Sequence, residues 1–427
     1  MRRALPLLAA AGVLATVTVP RAVGAGPLFQ RNVEGSSNPD AANWRGGEPE
    51  IAVNPRNPKN MVMVWAAMKQ LTDPKSHVTY PGLVAQFASP ATGMQTIQCQ
   101  MATTFDGGGT WDAVVFPLRE KPSCGDPMVV ADSTGAFEIT YDLMGSVFTP
   151  STEGTQPTDQ VAASRSTDGG RHWTVPVDVG TIVDRPFFRI DPSTDWLYEV
   201  SGSPITLSTP RQFVMSTDHG KTWTARQSFP SDHLAVNHGV IATTLQSGNP
   251  ATFQFAVSND NGASYRQEPV SGASTGGTGD WVSADPTHRE AFAVMQQVGD
   301  ALEVLTTTDG GRSWTKPVHV SVPGRGIALP WFDYGPNGDL GVMWKSTDAK
   351  SGQFLVYAAL MKAGRATFSR PLRISSVPSA GADFVNEGAG DDLSWITVDR
   401  SKVFIGWGDR RTGIVQAWFA RVPRSAF

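Results

Sequence analysis

The amino-acid sequence predicts an all-β fold built from a repeated unit of short strands. Three observations predict it. An eight-residue turn pattern recurs five times, and a buried-strand pattern recurs seven times around those turns. The composition, with 43 Gly, 31 Pro and only 17% charged residues, suits many short strands joined by turns.

The N-terminal segment stands apart from the repeats. Arg2 and Arg3 precede an apolar run from Ala4 to Val19, and the small residues Val23-Gly24-Ala25 follow Pro20 and Arg21. That layout predicts a signal peptide over residues 1–25 and a secreted protein, extracellular or periplasmic. The run is short for a bilayer crossing and no later one is long enough, so no membrane span is expected. Residues 26–427 are expected to form a single domain, because units that pack on their neighbours override a domain count by length. Loss of residues 1–25 removes Arg2, Arg3 and Arg21 but no acid, taking the net charge from −4 to about −7. Such a charge argues against nucleic acid as a partner. The expected chain is a monomer.

Cys99 and Cys124 are the two cysteines. In an exported protein a lone pair reads as a disulfide rather than a metal site or a nucleophile. Closing that loop stabilises by about 3–4 kcal/mol in the chain-entropy picture.

The turn pattern runs from Thr104 to Trp111, Ser166 to Trp173, Ser216 to Trp223, Ser258 to Tyr265 and Thr307 to Trp314, with a worn copy at Gly364 to Phe368. Its aspartates are Asp106, Asp168, Asp218, Asp260 and Asp309. Each can accept hydrogen bonds from the turn's own amides and from the Ser/Thr hydroxyl. Gly supplies the positive φ of a tight hairpin, and the aromatic ring folds back over the turn. These residues are therefore structural rather than catalytic.

The pattern resembles the Asp boxes of sialidases and of a wider set of sialidase-like proteins, over essentially all of residues 26–427. The resemblance implies a β-propeller with each box between the third and fourth strands of a blade. It implies less about function, since such boxes occur in other glycosidases, in lyases, in sorting receptors and in non-enzymatic propellers.

The second repeat sets the blade count. It reads Pro49–Asn54, Pro127–Asp132, Pro186–Asp191, Asp232–Asn237, Asp280–Asp285, Pro330–Gly335 and Ser394–Asp399. Each is a buried strand ending in an Asx or Gly turn, followed by a second strand. Seven units predict seven blades, against the six of a true sialidase. The last unit lacks an outer strand, which the segment around Pro27–Val33 is expected to supply, closing the ring.

Chemistry is expected at the mouth, before each first strand and after each second strand. Aligned on the repeat, Glu50, Met128, Phe187, His233, Trp281, Trp331 and Trp395 form one layer. Two positions earlier stand Glu48, Asp126 and Arg185, with Arg45 further out and Arg189 and Asp333 deeper. Glu48, Glu50 and Asp126 are the candidate catalytic acids. Arg45, Arg185, His233 and Arg410 are candidate substrate contacts, and Trp281, Trp331 and Trp395 suit stacking on a sugar or packing between blades. Lys69, Tyr141, Asp142, Lys345, Asp409 and Arg411 follow second strands at the same mouth. Arg189 and Asp333, if buried, should pair. No metal-ligand spacing, phosphate loop or cofactor motif is present, so no metal or cofactor is expected.

A sialidase is expected to carry three carboxylate-binding Arg, a Tyr nucleophile assisted by Glu, and an Asp acid/base. Where its Arg-Ile-Pro motif would fall, this sequence reads Gly46-Gly47-Glu48-Pro49-Glu50. The predicted function is a secreted carbohydrate-active propeller acting on glycan or glycoconjugate, a glycoside hydrolase of exo-α-sialidase-like type. The alternative is a non-catalytic propeller that binds glycan or protein through the same face.

Overall fold

Each segment of the second repeat forms the innermost strand of an antiparallel sheet, and the chain then steps outward strand by strand. The innermost strands are Trp44–Val53, Ser123–Ala131, Phe187–Ile190, Ala235–Asn237, Thr278–Ala284, Gly326–Tyr334 and Trp395–Val398, in blades 1 to 7. The result is an all-β, seven-bladed propeller in this computed structural model. It describes residues 31–32, 44–69, 97–117, 123–144, 160–180, 186–202, 211–226, 229–231, 233–248, 250–380, 393–411 and 415–427. The expected signal peptide lies outside the described residues.

The ring closes as the repeat count requires. Blade 7 has the three strands Trp395–Val398, Lys402–Asp409 and Gln416–Pro423, and Arg31–Asn32 adds the fourth. There Arg31 stands opposite Phe419 and Asn32 opposite Trp418. Without that pair, the outer edge of Gln416–Pro423 would present an unpaired row of backbone groups.

Alternation along the second strands packs blade on blade. In blade 2, Phe137, Ile139, Tyr141 and Leu143 share a core with Val62, Val64 and Met101 of blade 1. Period-two alternation turns Glu138, Thr140 and Asp142 the other way, toward blade 3. Cys99 and Cys124 are disulfide-bonded with Cα atoms 5.4 Å apart, tying the third strand of blade 1 to the inner strand of blade 2.

The box turns lie between third and fourth strands, at the end of the ring away from the mouth. In the first, Asp106 Oδ1 accepts from the amides of Gly109 (2.6 Å) and Thr110 (2.9 Å). The Thr104 hydroxyl donates to Asp106 (2.9 Å) and accepts from the Gly108 amide (3.0 Å). In three later copies the Trp indole N–H caps the turn, as in Trp314 to Gly311 O at 3.1 Å. Glycine at the fifth box position has two causes: Gly311 has φ +84°, and a Cβ there would lie 2.6 Å from Phe255 of the preceding blade. The inner strands end at the same rim in Asx turns, where Asp132 Oδ1 takes the amides of Thr134 and Ala136 and Asp399 those of Ser401 and Lys402.

Candidate functional site

The inner strands enter the mouth through a repeated irregularity. In blades 1, 2, 5 and 6 the pairing of first and second strands slips between Gly47 and Glu50, Gly125 and Met128, Thr278 and Trp281, and Ala328 and Trp331. Each slip is a β-bulge with one residue at positive φ: Glu48 (57°), Asp126 (43°), Gly279 (75°) and Leu329 (46°). Blade 5 uses glycine there, but blades 1 and 2 hold acids in the left-handed region, each just before a proline. That conformation costs about 1 kcal/mol or more per residue and persists where surroundings impose it.

The two bulges bring the candidate acids together. Glu48, Glu50 and Asp126 line one recess with Pro49, Pro127, Met128, Leu393 and Trp395, a space of about 10 Å³. That is the room of a single water molecule. Glu48 and Glu50 are buried and Asp126 is half-buried. Burial pushes the Glu50 carboxyl well above its ordinary 4.5, opposed by the charge of Arg189 and a hydrogen bond from the Val129 amide. Its Oε2 atom has no hydrogen-bond partner among the described residues.

The aromatic layer forms as the register implies. Phe187 lies 5.2 Å from the His233 ring and 5.7 Å from Trp331, and His233 lies 5.9 Å from Trp331 and 6.2 Å from Trp281. Trp331 and Trp395 are 3% and 5% exposed and stack on each other at 4.7 Å. These two rings pack across the channel as a plug, the second of the two roles their position allowed, and Trp395 also lines the recess. Trp281 and His233 are only half-buried. His233 Nδ1 lies 3.4 Å from Asp280 Oδ1, an ion pair when the ring is protonated.

Beneath the plug, the axial channel widens to a cavity of about 270 Å³ lined by all seven inner strands. Arg189 and Asp333 are both there, without the direct pairing expected of them. Arg189 donates Nη1–H to the Phe188 carbonyl (2.9 Å) and lies over the rings of Phe187 (4.4 Å) and Trp395 (5.0 Å). Asp333 accepts from the Ser283 hydroxyl (2.6 Å) and its own strand's Tyr334 amide (2.9 Å). Burial raises the Asp333 carboxyl above its usual range, against the pull of Arg189.

The remaining predicted residues divide by position. Arg185 and the side chains of Arg45 and Lys69 lie outside the described residues. Arg410 is half-buried, its amide donating to the Ser379 hydroxyl. Tyr141 is fully buried, with its hydroxyl on the Pro117 carbonyl (2.7 Å). Asp409 is buried under the Trp407 indole (2.9 Å) and Arg411 (2.5 Å), and Lys345 sits buried against the Phe354 ring. Asp142 is also buried.

A polar cluster at the box end was not foreseen. Arg165 bridges Asp132 (2.7 Å) and Glu138 (2.6 Å), and His219 Nδ1 lies 3.7 Å from Asp132. Ligand atoms of Asp132, Glu138 and His219 lie within 4.8 Å of one another, but the Arg165 guanidinium already supplies the compensating cation. The sequence carried one signal for it. His219 (φ 62°) stands where the other boxes have Gly107, Gly169, Asn261 and Gly310. Two glutamates in this part of the ring, Glu138 and Glu199, are each raised to about 8 by burial.

No protein-family model matches the chain, and no curated protein does. By overall shape it is similar to YCF48 bound to D1 peptide, with TM-score 0.50, 11% identity, and 94% of this chain and 96% of that one covered. It is also similar to a Hadza microbial sialidase (TM-score 0.48, 16% identity, 90% of this chain), spanning 66% of that protein's length. A third similar structure is the intramolecular trans-sialidase from Ruminococcus gnavus (TM-score 0.42, 14% identity, 89% and 95% covered). At these identities the likeness concerns the fold alone, a β-propeller. No helix among the described residues is long and apolar enough to cross a membrane.

Proposed function

We propose that this chain is an exported, carbohydrate-active propeller, a glycoside hydrolase of sialidase-like type whose reaction centre is the recess shared by Glu48, Glu50 and Asp126. One observation carries the reading: two strained bulges on neighbouring blades bring three acidic residues to the lining of one water-sized recess. Burial shifts the Glu50 carboxyl upward, the direction a general acid requires. Glu48 and Asp126 then serve as the carboxylates that orient water or stabilise positive charge on the sugar. The sugar sits above the recess. Export is supported by the N-terminal layout of residues 1–25 and by the disulfide, which suits an oxidising compartment.

Purified protein screened on sialosides and other glycosides tests this. Turnover is expected, and Glu50→Gln or Asp126→Asn should each lower kcat by about 10²–10⁴-fold with the melting curve preserved. Turnover that survives both changes would remove the site assignment.

A second reading is favoured by the aromatic plug: a non-catalytic propeller that docks a glycan or a polypeptide segment on its mouth. The similar YCF48 structure holds a peptide. Absence of turnover on the whole panel, with saturable glycan or peptide binding, would select it.

A further inference from the structure

The cavity beneath the plug is a separate space from the recess at the mouth, although Glu50 and Trp395 line both. Seven inner strands wall it mainly with small aliphatic side chains, among them Ala52, Val130, Val236 and Ala284. The plug closes it toward the mouth. Toward the box end its rim includes Pro192 and Pro336, both exposed, so a ligand would enter from the face opposite the mouth.

Within these apolar walls stands one guanidinium. Apart from the Nη1–H given to Phe188, the N–H groups of Arg189 have no acceptor among the described residues, and neither Glu50 nor Asp333 forms an ion pair with it. The rings of Phe187 and Trp395 beside the guanidinium restrain its plane. Glu50 also lines this space, and its Oε2 is buried without a hydrogen-bond partner among the described residues. A concave apolar pocket with a few converging unpaired polar groups is the general form of a small-molecule site.

We infer that the axial channel binds a small monocarboxylate, seated with its carboxylate on the Arg189 fork and entering from the box end. The planar fork matches a carboxylate with two parallel N–H bonds. Burial disfavours the charged form of both neighbouring acids, which leaves the guanidinium less opposed when an anion enters. A cavity of about 270 Å³ limits the alkyl portion to a few carbons.

The test is calorimetry and ligand-observed NMR on the full folded chain near neutral pH. The probes are acetate, propionate and butyrate beside the uncharged acetamide, propionamide and butyramide. The acids should bind saturably and the amides at least 10-fold more weakly. Arg189→Met, which keeps the stem and removes the charge, should weaken the acids by about 10- to 100-fold. Glu48→Gln at the mouth should leave acid binding unchanged, which separates this site from the proposed hydrolytic one. Equal affinity for acids and amides, no saturable acid binding, or full binding by Arg189→Met would each overturn the inference. The wild-type comparison decides the matter even if Arg189→Met does not fold.

Discussion

Glu199 is a fully buried carboxyl whose two oxygens lack hydrogen-bond partners. Burial raises it from 4.5 to about 8, with the nearby Ser201 hydroxyl pulling the other way, and Glu138 is raised as far despite Arg165. Between those two values the folded chain keeps a proton that the unfolded chain has released. Each group's contribution is therefore full below about 4.5 and is lost as pH rises through about 8. The box aspartates act in the opposite direction. Held at about 2, chiefly by hydrogen bonds from their own Ser/Thr hydroxyls and turn amides, Asp260 and Asp309 contribute stability above 3.8 that is lost as pH falls toward 2. Stability should peak in mildly acidic solution and decline toward pH 8. In Glu199→Gln that decline should be shallower, and thermal melts from pH 4 to 9 check it. A Gln variant that tracks the wild type across this range would refute the argument.

At the scale of the strand, the bulges at Glu48 and Asp126 oppose local stability to site geometry. Glycine takes positive φ without penalty, as Gly279 does in blade 5. Glu48→Gly should therefore change stability by no more than about 1 kcal/mol in either direction, since relieved strain offsets lost contacts. The same change should abolish any glycosidase turnover. A large drop in melting temperature would instead mean that Glu48 is chiefly structural. These bulges were not legible beforehand, because period-two alternation aligns Glu50, Met128, Trp281 and Trp331 without revealing the extra residue before them. The inner layer itself was legible, since its register follows from the Asx turn at the end of each strand. Which charged groups pair was not: Arg189 and Asp333 share a layer, yet their partners are a backbone carbonyl and a serine hydroxyl, choices made by packing across the channel.

For the whole molecule, the count of seven units translated directly into seven blades, because each unit carries its own turn chemistry and buries its face on the next. The fold of the ring was thus legible from Pro49 to Asp399. The mouth was less so, because its chemistry depends on segments between blades whose length and composition do not repeat, such as the one carrying Arg185. Deleting the segment through Asn32 should lower the melting temperature of the whole propeller rather than of blade 7 alone, since the blades are coupled around the ring. It should also promote self-association through the exposed Gln416–Pro423 edge. Calorimetry and light scattering would show both effects. An intact cooperative transition with blade 7 alone loosened would contradict this.

The pairing of Arg31–Asn32 with Phe419 and Trp418 also bears on how the chain is made. Residues 31–32 must wait for residues 416–423 to be made, the longest sequence separation between paired strands among the described residues. Non-local contacts of this kind slow folding, because the entropy of closing the loop is lost before the contact forms. If the chain is exported N-terminus first, the ring completes only after Gln416–Pro423 has been released. Until then the last blade keeps an open edge, and the compartment receiving the chain must tolerate a nearly finished propeller that can still join another.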